Sequence, residues 1–205
     1  MKSSAEVEPG LRRVVLIVAI LNLAYFGVEF FVARTIGSVS LFADSIDFLE
    51  DAAINLLIGL TLMTSVATRA RVGKLLALVI LVPTVATLWT AWAKFQAPVA
   101  PEPVWLSLTG AGALAVNLTC AFLLVRFRSS RGSLTRAAFL SARNDALANV
   151  AIVATGLITA FLWRSAWPDV VVGLAIAALN ADAAREVWEE ARQEHPRGET
   201  KVRNG

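Results

Sequence analysis

The chain is poor in the residues that soft-metal and nucleophilic sites need: it has one cysteine and one histidine in 205 residues. Cys120 has no partner for an intramolecular disulfide, and no CxxC pair exists to grip a soft metal. Within its apolar run, Cys120 reads as a small buried apolar residue. His195 stands alone in a polar tail and reads as a solvated side chain, not a ligand. No Gly-rich phosphate loop, nucleophile elbow or His/Cys metal motif occurs. These absences argue against a metallohydrolase or covalent catalyst, so the chain is not read as an enzyme and no cofactor is expected. Charge is scarce as well. Charged residues are 17% of the chain and hydrophobic residues 57%, with mean hydropathy +0.63. Soluble domains are roughly 45–50% apolar, so this is the composition of a membrane protein.

A spanning helix needs about 20 apolar residues. Six runs qualify, at about 13–33, 40–65, 73–94, 104–126, 137–163 and 168–189. The connectors carry charge or breakers: Arg34 and Gly37; Arg69, Arg71 and Gly73; Pro98, Pro101 and Pro103; Arg128, Arg131 and Gly132; Arg164 and Pro168. Pro83 is expected to kink the third run. The first run follows Arg12 and Arg13 but is too long for a signal peptide and has no small-x-small cleavage site, so it reads as a retained helix. The expected architecture is therefore an all-α integral membrane protein with six transmembrane helices. Residues 1–12 form a cytoplasmic tail, 13–189 the six-helix domain and 190–205 a short charged tail.

Orientation follows from the basic residues. Fifteen of the 19 Lys and Arg fall on one side, in the N-terminal tail, the second and fourth connectors and the C-terminal end. Arg34, Lys94 and Arg164 fall on the other, and Arg143 lies inside a run. The positive-inside rule places both termini in the cytoplasm, and the cell (inner) membrane is the expected location. This distribution accounts for the net charge of +3 and the pI of about 9.5 without a nucleic-acid partner.

What the apolar runs do contain is acid. The second run, SVSLFADSIDFLEDAAINLLIGLTLM, holds Asp44, Asp47, Glu50 and Asp51, and the fifth holds Asp145. A charge near the bilayer centre costs roughly 2.5–3.5 kcal/mol even on lenient scales, so such acids mark a site. At ~100° per residue, Ser40, Asp44, Asp47, Asp51 and Asn55 share a stripe about 80° wide, with Glu50 on its edge. The fifth run repeats the pattern with Ser141, Asn144, Asp145, Ala148 and Asn149 on one face. Arg143 lies nearly opposite, placed to snorkel toward the cytoplasm. At ~1.5 Å per residue, Asp51 and Asp145 both reach a depth of about 16 Å from the outer face, with Asp47 at about 10 Å. Two antiparallel helices then present Asp47, Asp51 and Asp145 as one buried oxygen cage. Three acids at a common depth, with no Lys or Arg on the same faces, favour a cation ligand over purely structural hydrogen bonding. Asp44, Glu50, Asn55 and Asn149 are accessory candidates, with Asp44 nearer the outer mouth, at a place for ion entry or helix capping.

Other polar residues in the runs read as interhelical hydrogen-bonding groups: Asn22 and Glu29 on one face of the first, Asn117 in the fourth and Asn180 in the sixth. Gly173, Ala177 and Ala181 form a small-residue ridge suited to close packing, either within the chain or between the copies of a homodimer.

GSVSLFADSIDFLED resembles the second-helix signature of the cation diffusion facilitator family, divalent-metal/proton antiporters in which G-S-x-(S/A)-L-x-A-D leads to a (D/H)-x-x-x-D pair. Here the pair is Asp47 and Asp51. FLSARNDALANV is similar to the fifth-helix signature, usually H-x-x-x-D or D-x-x-x-D, in which Asp145 matches the second ligand. PDVVVGLAIAALNADAAREVWEEA resembles the sixth helix, which commonly begins D-P-x-x-x-G. The resemblance covers all six runs and implies efflux of a divalent metal cation in exchange for protons. Two departures stand out. Ser141 occupies the first fifth-helix ligand position, which weakens that ligand or moves it to Asn144. The cytoplasmic ferredoxin-like domain that usually follows helix six has too few residues to form, so a short form of the family is expected.

The cage has only oxygen ligands, which favours harder divalent ions than a His-containing site would. The candidate substrates are Mn, Fe(II), Co and Zn; zinc usually takes nitrogen or sulfur help, while the family association points to Zn or Co. Three like charges in a low dielectric cannot all stay ionised, and metal ligands must be deprotonated to bind. Metal and protons therefore compete for one cage, and alternating access turns that competition into antiport. The alternatives are a passive cation channel, whose flux would follow voltage, and a non-transporting membrane subunit with a residual cation site.

Overall fold

A computed structural model describes residues 4–61, 85–125 and 132–179. The second connector (Arg69, Arg71, Lys74), Pro83, the fourth connector, Asn180, Ala181 and the C-terminal tail with His195 lie outside the described residues. The described elements are helices: α1 Ser4–Ile36, α2 Val39–Thr61, α3 at 85–96, α4 Pro103–Val125, α5 Gly132–Phe161 and α6 Trp167–Leu179. Among the described residues, three helices are long and apolar enough to cross a membrane, over Gly10–Ile36, Pro103–Val125 and Ser141–Phe161. α6 is a shorter apolar helix over its described residues. α2 is long enough at 23 residues, but its four carboxylates break the apolar run.

The α1–α2 turn is very tight, and its chemistry is local. Gly37 adopts φ +63°, the left-handed conformation that residues with a Cβ disfavour. The Ser38 amide then reaches back to the Ala33 carbonyl at 3.1 Å, the six-to-one bond of a Schellman motif. The Ser38 hydroxyl also caps α2, accepting the Leu41 amide at 3.2 Å. At the other tight entry, Pro103 opens α4 and the Glu102 carboxylate accepts the Trp105 amide at 2.7 Å.

α1 packs chiefly on α2 and α4 chiefly on α5, and the two pairs join through α1–α4 and α2–α5 contacts. Toward one end the core is Leu11, Val14, Val15, Val18, Ile58, Cys120 and Leu124. Toward the other it is Ala33, Leu41, Phe42, Leu106, Ile152 and Ile176. Between these apolar layers lies a buried polar layer: Asn22, Glu29, Asp44, Asp47, Asp51, Asn55, Asn117 and Asn149. The outward surface is apolar instead, with Phe31, Phe122, Phe161 and Leu162 each more than 70% exposed. An inside-polar, outside-apolar bundle suits lipid as its solvent. Trp89, Trp92, Trp105, Trp163 and Trp167 are exposed on the helix ends around the α3–α4 and α5–α6 connections, as in a belt at a membrane–water interface.

Candidate functional site

α2 and α5 meet along the faces that carry acid. Between them is a cavity of about 660 Å³ whose polar lining is Asp47, Glu50 and Asp51 from α2, with Ser141, Asn144 and Asp145 from α5. Ile54, Leu147, Val172, Ile176 and Leu179 supply apolar wall, part of it from α6. The Ser141 hydroxyl lies between two acids, donating to Asp51 at 2.9 Å and approaching Asp145 at 3.5 Å. Asp47 and Asp51 are 8% and 3% exposed, whereas Asp145 and Glu50 are half-buried. Asn144 is exposed, and Arg143 reaches it at 3.4 Å. Among the described residues, no three acidic, histidine or cysteine side chains converge tightly enough to hold a metal ion as they stand. The acids ring a roomy cavity rather than closing a tight cage.

The accessory candidates divide. Glu50 lines the cavity, while Asp44, Asn55 and Asn149 do not. Asn55 folds back on its own helix, donating to the Asp51 carbonyl at 2.9 Å. Asp44 accepts a short hydrogen bond from Asn149, whose carbonyl accepts Asn117 at 2.9 Å. That chain links α2, α5 and α4 beside the cavity, and it gives Asn117 the interhelical bond expected of it. Glu29 is fully buried, and as a carboxylate it has no donor for either oxygen. Asn22 accepts only the Cys120 thiol at 3.6 Å and leaves its amide nitrogen unpaired.

Ser40 also differs from its place on the helical wheel. Its hydroxyl donates to Asp169 of α6 at 2.6 Å instead of facing the cavity. Asp169 is fully buried and accepts three further bonds, from the Ser38 hydroxyl at 2.6 Å, the Val39 amide at 2.8 Å and the Ser40 amide at 3.1 Å. One carboxylate thus satisfies the first two free amides of α2, whose positive end suits a negative charge. Gly173 allows the approach, since a Cβ there would sit 2.7 Å from the Ser40 nitrogen. The Gly173 end of the small-residue ridge therefore packs within the chain. The carboxylate at the start of the PDVVVG segment was the available signal for this contact; it needed a partner that periodicity along one helix cannot name.

A bundle whose described elements are all helices, with an apolar exterior and an acidic interior cavity, defines an integral membrane protein built to handle cations. Residues 15–194 match the cation efflux transmembrane domain, and the chain belongs to that family of membrane cation transporters. No curated protein gives a significant match to the chain.

Proposed function

We propose that the chain exports a divalent metal cation by proton antiport, through the cavity between α2 and α5. One observation carries this reading: acids from two helices line the same cavity, with the Ser141 hydroxyl bonded to Asp51 and reaching toward Asp145. Asp47, Asp51 and Asp145 act as the principal ligands of the passing ion. Ser141 and Asn144 supply neutral oxygens, and Glu50 attracts the ion at the cavity wall. For these groups to coordinate an ion, the cavity narrows around it. The two occupants, metal and protons, exclude each other because the carboxylates bind metal only when deprotonated. Oxygen ligands direct the site toward Mn, Fe(II), Co or Zn without strong zinc preference.

Six spans with both termini cytoplasmic put the α1–α2 turn, the α3–α4 loop and the α5–α6 loop on the outer side. The scarcity of Lys and Arg at that end supports this orientation. The test uses the full chain in liposomes under an imposed pH gradient, with Zn²⁺ and Mn²⁺ as substrates and a lumenal pH dye. Wild type moves metal and protons in opposite directions, and Asp51→Asn lowers both fluxes roughly tenfold or more. Flux that follows voltage alone, or that survives the substitution unchanged, would refute the antiport reading.

A further inference from the structure

The cavity does not account for two fully buried acids among the described residues that lack the donors Asp169 has. Glu29 of α1 and Asp44 of α2 are both fully buried, and neither lines the cavity. Their carboxyl groups lie within hydrogen-bonding reach of each other. Both Glu29 oxygens and one Asp44 oxygen have no hydrogen-bond donor. The other Asp44 oxygen is taken by Asn149, itself held by Asn117. Neither carboxyl makes an ion pair among the described residues. Tyr25, one turn away on α1, spends its hydroxyl on the Thr109 carbonyl at 2.7 Å. Among the described residues the surroundings add no compensating charge: Tyr25 faces the pair from α1, Asp47 from α2 and Asp145 from α5, while α4 offers the neutral amide of Asn117.

Two carboxylates can only accept hydrogen bonds, so as a pair of anions they repel and leave three buried oxygens unsatisfied. One proton between them turns the contact into a hydrogen bond and halves the buried charge. The Asn117–Asn149 amide chain orients Asp44 for this and leaves its free oxygen for Glu29.

We propose that Glu29 and Asp44 form a proton-binding station separate from the cation cavity, holding one shared proton that leaves when a divalent cation enters the cavity. This rests on the transport reading above. Asp44 lies one helical turn from Asp47, and in a low-dielectric interior a doubly charged ion at that range disfavours the shared proton. By linkage, a protonated pair weakens cation binding. The station thus supplies a proton beyond those the cavity acids release themselves.

Infrared spectroscopy of the detergent-solubilised full chain tests the pair directly. Metal-free wild type at neutral pH shows the C=O stretch of a protonated carboxyl. Glu29→Gln, which keeps the shape and offers Asp44 an amide donor, removes that component, and Asp44→Asn does the same. Calorimetry in buffers of different ionisation enthalpy then counts protons released per Zn²⁺ bound, and the count falls by about one in Glu29→Gln. An infrared band unchanged by either substitution, or an unchanged proton count, would overturn the proposal. So would a wild type without the band whose stability instead rises with Na⁺, which would assign the pair to a monovalent cation. The band needs no metal, so a wild type that carries it yet moves no divalent ion would sink the transport reading rather than the shared proton.

Discussion

Replacing Asp169 with alanine should be among the most damaging single changes in the described part of the bundle. The carboxylate accepts four hydrogen bonds in a fully buried position. Two come from the Ser38 and Ser40 hydroxyls, which can rotate toward other acceptors. The other two come from the Val39 and Ser40 amides, which cannot, because the first amides of a helix have no partner within it. An orphaned buried donor costs about 1–3 kcal/mol, and hydrogen bonds to a charged acceptor are at the strong end. The expected loss for Asp169→Ala is therefore about 3–5 kcal/mol. For a chain of this size that is roughly 10 °C or more in unfolding midpoint. Asp169→Asn keeps one acceptor but turns an NH₂ toward a donor, and should lose about half as much. The assay is thermal unfolding in detergent followed by tryptophan fluorescence, with wild type and both variants in the same micelle. A midpoint for Asp169→Ala within a degree or two of wild type would show that the α2–α6 clasp contributes little and that the reasoning is wrong.

Other changes test neighbouring parts of the structure. Gly173→Ala places a Cβ 2.7 Å from backbone atoms of Val39 and Ser40, and should cost about 1–3 kcal/mol in the same unfolding assay. Combined with Asp169→Ala it should cost less than the sum, since both act on one contact. Gly37→Ala forces a Cβ into the left-handed region at φ +63° and should cost about 1 kcal/mol by unfolding midpoint, with Gly37→Asn milder. Ser141→Asp restores a second carboxylate on α5 beside Asp51 and Asp145. It should tighten Mn²⁺ or Zn²⁺ binding roughly tenfold by calorimetry while lowering metal-free stability; weaker binding would argue against Ser141 as a ligand position.

Much of the architecture was legible because its signals are local. The breaks at Gly37, Pro98–Pro103 and Arg164–Pro168 divide the described helices as expected, since a left-handed glycine, a missing amide or a solvated charge acts within a turn. α1 runs further than its apolar stretch, beginning at Ser4 rather than near residue 13 and carrying Pro9 and Gly10 within it, a continuation that the apolar pattern does not signal. The facing of Asp47, Asp51 and Asp145 was readable from the helical period and a common depth. Ser40 and Glu29 were not. Ser40 shares the stripe, but the end of a helix presents its side chains to whatever caps it, and the cap comes from α6. Glu29 looked like an ordinary interhelical hydrogen bonder, yet the residue packed against it is another acid.

From the order of residues alone came the membrane class, the acidic faces of α2 and α5, and the break at Gly37. Each depends on properties that a residue and its near neighbours carry with them. Tertiary structure alone decided that Asp169 holds the start of α2, that Asp44 turns to Glu29 and Asn149, and that the cavity acids encircle open space. Those outcomes depend on which helix packs where, because a buried polar group takes whatever partner the fold brings within reach.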